Sequence, residues 1–163
     1  MFNGQTKGVS KCVFLIWRGT LLKVAIINIT GYAGSELARI LLKHPDVEIT
    51  SVTGRSGAGK YVSEIVPSLW QLNLIVADRL DQSVDFVFSA LPSGVSSEVL
   101  VPLINDGIKA VDIAADFRLK NPSDFSKAYS IEHPFPNLLK DSVYGLPEIY
   151  REQICGANLV ANP

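Results

Sequence analysis

The chain has 163 residues, of which 47% are hydrophobic and 19% charged; this suits one domain with its own core and excludes a disordered segment. Lys and Arg total 15 against 16 Asp and Glu, a net charge of −1, so the basic excess expected of a nucleic-acid or anionic-membrane surface is absent. Two cysteines outside any C-x-x-C pair, Cys12 and Cys155, and two histidines, His44 and His133, cannot assemble a zinc site and fit a reduced, cytoplasmic protein.

Residues 1–21 precede the regular pattern and read as an N-terminal extension. Their apolar run Cys12 to Trp17 is far too short to span a bilayer, and no A-x-A site follows it. Leu22 to Ile27 is a β-branched run that predicts a strand. Ser35 to Lys43 carries Leu37, Ala38, Ile40, Leu41 and Leu42 at helical spacing, and His44-Pro45-Asp46 stops that helix. Val47 to Thr53 is a second strand, which completes a βαβ unit. Leu72 to Ala77 reads as an extra strand. Asp85 to Ala90, Ser96 to Asn105 and Lys109 to Ile113 repeat strand, helix and strand, with Gly107 as a helix stop. Asn121 to Gly145 is rich in Pro, Asp, Ser and Asn and predicts a long connection. Tyr150 to Ile154 predicts a short helix and Asn158 to Val160 one more strand. Runs apolar on both faces belong between two helix layers. The expected fold is α/β: a Rossmann-like, doubly wound, mostly parallel sheet with helices on both faces, over residues 22–163.

The turn after the first strand, Asn28-Ile29-Thr30-Gly31-Tyr32-Ala33-Gly34, resembles a dinucleotide fingerprint in which Asn28 replaces the first glycine. Asn tolerates positive φ better than most residues, so the turn survives the replacement. The N–H groups of Tyr32, Ala33 and Gly34 would then face an anion at a helix N-terminus; a plain βα turn needing glycine for steric reasons is the alternative. Thr53-Gly54-Arg55-Ser56 ends the second strand without the acid of an NAD site. Arg55 and Ser56 suit a 2′-phosphate, which favours NADP, unless Arg55 is simply a solvated side chain. Gly54 to Lys60 also matches G-x-x-x-x-G-K of a phosphate-binding loop, but Tyr61 stands where Ser or Thr should meet magnesium. Leu91-Pro92-Ser93-Gly94 follows another strand and fits a wall for the nicotinamide ribose. Cys155, with no neighbouring His, reads as a small buried residue rather than a nucleophile, and neither His44 nor His133 has a visible acid–base partner.

Five stretches together resemble the N-acetyl-gamma-glutamyl-phosphate reductase family: Gly31 to Leu37 with His44-Pro45, Ala90 to Ser96, Asp112 to Leu119, Tyr144 to Glu148, and Ala161-Asn162-Pro163. The resemblance covers about residues 22–163. It implies NADPH-dependent reduction of an acyl phosphate, N-acetylglutamyl 5-phosphate, to the semialdehyde in arginine biosynthesis. The implied cofactor residues are Thr30, Gly31, Tyr32, Ala33, Gly34, Arg55, Ser56, Leu91, Pro92 and Ser93, with no metal. It also implies a cysteine nucleophile, whose thiolate attacks the acyl phosphate before hydride reduces the thioester. That cysteine is expected just beyond Pro163, so the chain should be the cofactor domain cut short before the catalytic and substrate domain. Two departures stand out: Asn28 replaces a glycine, and Ser93 stands where His is common. The alternatives are an aminoadipate- or aspartate-semialdehyde dehydrogenase relative, a stand-alone nucleotide-binding module, and a P-loop NTPase through Gly54 to Lys60. A homo-oligomer is compatible with the sequence.

Overall fold

The computed structural model describes residues 21–80 and 83–163. Six strands form one sheet: β1 (Leu22–Ile27), β2 (Val47–Thr53), β3 (Phe86–Ser89), β4 (Lys109–Asp112), β5 (Val143–Tyr144) and β6 (Leu159–Ala161). Their order is β2-β1-β3-β4-β6-β5 and every pairing is parallel. Five helices accompany them: α1 (Tyr32–Leu41), α2 (Val62–Ile65), α3 (Ser96–Asn105), α4 (Pro122–Tyr129) and α5 (Pro147–Gly156).

The alternation along β1 explains why the sheet is covered on both faces. Val24 and Ile26 pack into one apolar cluster with Ala38, Leu41, Val52 and Leu69. Ala25 and Ile27 point the other way, into a cluster with Leu100, Ala110, Phe117 and Leu139. Side chains of successive strand residues alternate sides, so a fully apolar strand needs two helix layers. The expected Rossmann-like arrangement is present.

Several elements differ from their sequence expectations. The first helix begins at Tyr32 rather than Ser35, because Gly34 lies inside its first turn instead of ahead of it. Leu72 to Ala77 forms no full strand; it makes two isolated bridges, Thr53 with Ala77 and Tyr61 with Ile75. The stretch from Asn121 to Gly145 is not a bare connection. Asn121 caps α4 by accepting from Ser123 N at 3.0 Å, Pro122 occupies the first helical turn, and a 3₁₀ turn over Pro136–Lys140 and β5 follow. The helix expected at Tyr150 starts at Pro147 and kinks at Tyr150. Cys155 is exposed in that helix, against the expectation of burial. Residues 1–20 of the expected extension lie outside the described residues. Among the described residues no helix is long and apolar enough to cross a membrane.

Candidate functional site at the carboxyl edge of the sheet

From β1 the chain passes to β2 on one side and returns to β3 on the other, so the connections leaving β1 and β3 diverge. Open parallel sheets bind ligands in the crevice that such a reversal creates at the strands' carboxyl ends. Asn28 sits in it. Its φ is +68°, the left-handed conformation that a glycine would supply, and its Nδ2 donates to Ala90 O at 2.8 Å. The asparagine therefore replaces the missing glycine and ties the ends of β1 and β3 together. Gly31 leaves room for that amide, since a Cβ there would lie 3.1 Å from Asn28 Nδ2. At Gly34 a Cβ would fall 2.2 Å from Asn28 O and 2.9 Å from Ile29 Cα, so α1 rests directly on the turn backbone.

Two helices, α1 and α3, open beside this crevice, and among the described residues a side chain fills the N-terminus of α3 but not that of α1. The α3 end is filled by the buried Asp116, which accepts from Gly94 N at 2.7 Å and Ser97 N at 2.9 Å. The α1 end has no side-chain cap at Gly31 and no acid in its first turn. Unpartnered first-turn N–H groups at a helix start attract an anion. Tyr32 and Ala33, both exposed, carry such groups among the described residues. Replacing Asp116 with Ala should cost about 2 kcal/mol through two orphaned amides, read as a lower urea midpoint; Asp116→Asn, keeping one acceptor oxygen, should fall between.

Beside the crevice is a cavity of about 480 Å³. Thr53, Gly54 and Arg55 line it from the end of β2, and Leu91, Pro92 and Val95 from the segment after β3. Of the residues expected at a cofactor site, Arg55, Leu91 and Pro92 meet there. Ser56 donates instead to Thr30 Oγ1 at 3.2 Å, linking the two turns. Ser93 turns toward the loop after β4, where its hydroxyl accepts from Ala115 N at 3.2 Å. Gly31 to Gly34 form the start of α1 nearby and are not in the cavity lining. The sequence reading missed Asp78, Arg79 and Leu80, which share this cavity. An acid does stand at this edge, supplied by a neighbouring segment rather than by the end of β2. The signal was the apolar run ending at Ala77, had its end been set level with Thr53.

The phosphate-loop alternative does not survive the geometry. Gly54 N donates to Ala77 O, Gly59 N to Val76 O and Lys60 N to Gly57 O, so these amides are not turned toward an anion. The helix that follows, α2, has four residues. His44 is exposed and its Nδ1 accepts from Asp46 N, while His133 is buried against the rings of Phe117 and Phe125. Among the described residues no cluster of His, Cys, Asp and Glu could hold a metal.

Residues 23–157 match the family model described as the semialdehyde dehydrogenase NAD-binding domain. The chain belongs to that family. An N-acetyl-gamma-glutamyl-phosphate reductase of Dehalococcoides mccartyi is 52% identical over 141 residues, 86% of this chain and 41% of its own length. A [LysW]-L-2-aminoadipate/[LysW]-L-glutamate phosphate reductase of Sulfurisphaera tokodaii is 43% identical over 88% of this chain and 42% of its own length. The chain thus spans about two-fifths of these relatives. The aspartate semialdehyde dehydrogenase of Candida albicans, solved with NADP, superposes with a TM-score of 0.62 at 17% identity, covering 87% of this chain and 42% of that one; the likeness is one of fold. A nicotinamide dinucleotide is the cofactor class of the family, and the open α1 terminus above the tight contact at Gly34 fits one.

In this semialdehyde dehydrogenase domain a chain of buried hydroxyls runs inward from the crevice wall. Leu91 N approaches Ser89 Oγ at 3.5 Å, Ser89 and Ser96 hydroxyls lie 2.7 Å apart, and Ser96 Oγ donates to Asp112 Oδ1 at 2.6 Å. Ala114 N donates to the same oxygen at 3.1 Å, while Asp112 Oδ2 is buried without a hydrogen-bond partner. Burial pushes the Asp112 carboxyl up to about 6; the bonds from Ser96 and Ala114 oppose the rise, Asp116 adds to it and Arg118 lowers it. The main chain of Asp112 also accepts from Asn162 N at 2.8 Å, and Arg118 donates to Asn162 O and Ile113 O, both at 2.8 Å. The end of β6 is fastened to the end of β4 by these bonds.

Proposed function

We propose that this chain is the NADP-binding part of an N-acetyl-gamma-glutamyl-phosphate reductase, working in the cytoplasm on a small acyl-phosphate substrate in arginine biosynthesis. The observation that carries the cofactor reading is the uncapped N-terminus of α1 beside a cavity that holds Arg55 at the end of β2. The amides of Tyr32 and Ala33 receive the pyrophosphate, and Gly34 lets α1 approach closely enough for them to do so. Thr30 and Ser56, already hydrogen-bonded to each other, hold the two turns at a fixed separation. Arg55 binds the adenosine 2′-phosphate as a fork. Leu91 and Pro92 form the apolar wall for the nicotinamide ribose, and Ser93 anchors that wall to Ala115. When bound, the nicotinamide supplies the hydride.

On this reading the described residues position the cofactor and the edge of the acyl site, and the nucleophile is the cysteine expected just after Pro163. The bond from Asn162 N to the Asp112 carbonyl and that from Arg118 to Asn162 O then fix the strand end that leads to that position. The arginine-pathway substrate is the one named for the 52% identical Dehalococcoides reductase, and that likeness supports the reading.

The reaction is tested by grafting residues 22–163 onto the remainder of the Dehalococcoides reductase and following NADPH oxidation with N-acetylglutamyl phosphate. Turnover is the expected result. A folded chimera that binds NADPH but gives no turnover would contradict the assignment of this domain to such a reductase. Separately, Arg55→Ala should weaken NADP binding by roughly tenfold or more and leave NAD within about twofold, measured by calorimetry.

A further inference from the structure

Asp78 and Arg79 have no part in the reading above, yet the fold delivers them to the cavity that Arg55 lines. Ala77 N donates to Val52 O at 3.0 Å and Gly54 N donates to Ala77 O at 3.3 Å. Thr53 and Ala77 form a parallel bridge. The chain around Ala77 therefore runs beside the end of β2, and the two leave the sheet level with each other. Asp78-Arg79 emerges next to Gly54-Arg55, and all four line one cavity.

Gly54 keeps the two pairs together. A Cβ there would lie 2.8 Å from Thr30 Cγ2 and 3.3 Å from Val76 Cγ1, so the turn is pressed against both neighbouring segments. Among the described residues the charged ones lining the cavity are Arg55, Asp78 and Arg79, and all three are exposed. Among the described residues none of them makes a hydrogen bond or ion pair, the salt bridge there being Arg39 with Glu36. Two guanidinium groups arriving from separate segments, neither held in an ion pair among the described residues, are matched by a dianion. The carboxylate in the same cavity is matched by a hydroxyl donor.

We propose that Arg79 is a second guanidinium of the 2′-phosphate subsite, beside Arg55, and that Asp78 accepts from the 3′-hydroxyl of the same ribose. The proposal rests on the NADP reading and deepens it, since discrimination then depends on three charges. With both arginines present the phosphate outweighs its repulsion from Asp78. Without Arg79, Asp78 faces the phosphate and disfavours it, while a ribose with two free hydroxyls still satisfies the carboxylate.

The test uses adenosine 2′,5′-bisphosphate and 5′-AMP as probes, titrated calorimetrically into the chain and into its Arg79→Ala, Asp78→Asn and Arg55→Ala variants. Arg79 is exposed and makes no hydrogen bond or ion pair among the described residues, so its variant reports on the ligand. Arg79→Ala should weaken the bisphosphate by roughly tenfold or more and leave 5′-AMP within about twofold. Asp78→Asn should weaken 5′-AMP and leave the bisphosphate no weaker than before, because a repulsion is removed along with a hydroxyl partner. Unchanged bisphosphate affinity in Arg79→Ala, with a loss in Arg55→Ala, would overturn the role of Arg79 and leave the NADP reading standing. If the unmodified chain binds the two probes alike or binds neither, the NADP reading itself fails and the proposal with it.

Discussion

Gly34→Ala is expected to destabilise the domain by about 2–3 kcal/mol, or roughly 5–10 °C in Tm, and to abolish dinucleotide binding at the same stroke. The added methyl would sit 2.2 Å from Asn28 O, 2.9 Å from Ile29 Cα and 3.0 Å from the Asn28 carbonyl carbon. All three are backbone atoms of the turn that leaves β1, and none can rotate away as a side chain could. Either α1 lifts from the sheet or the turn moves. The first course opens the packing of Ala38 and Leu41 against Val24 and Ile26. The second pulls Asn28 from its positive φ and its bond to Ala90 O. Thermal unfolding followed by circular dichroism, with an NADP titration of the same sample, measures both effects. A variant that keeps the parent Tm and affinity would show that α1 does not rest on the turn.

The second large effect concerns pH. The folded Asp112 carboxyl titrates at about 6, above its ordinary value of 3.8, so between those values the folded protein keeps a proton that the unfolded chain has released. The resulting stabilisation is fully present below about pH 4 and is lost as the pH rises through 6. Its size is on the order of 3 kcal/mol. Asp112→Asn cannot titrate and still accepts from Ser96 and Ala114 through its amide oxygen. Urea unfolding at pH 4 and pH 7 should show the parent losing that stability relative to the variant. Parallel pH dependence in the two proteins would mean that burial does not govern this carboxyl.

The parts of the fold that declare themselves locally were legible in the sequence. The bounds of β1, β2 and α3 were expected residue for residue, because β-branched runs and a helical apolar stripe are local signals. The tolerance of Asn28 for positive φ was likewise a property of one residue. The connection from Asn121 hid α4, since Phe125 is that helix's one buried residue and its short apolar face left no stripe to read. Asp78 and Arg79 reach the cavity through a bridge between Thr53 and Ala77 that no local pattern announces. The buried state of Asp112 was equally silent, because it depends on Ser89, Ser96 and Ala114 closing around a side chain that in isolation reads as solvated.

The most direct test of the account is a calorimetric titration of the unaltered chain with NADP, NAD and magnesium-ATP under one buffer and salt condition. Binding of NADP roughly tenfold or more tighter than NAD, with no heat from magnesium-ATP, is the predicted result. Preference for NAD would contradict the role given to Arg55, and binding of magnesium-ATP alone would contradict the dinucleotide site at the start of α1.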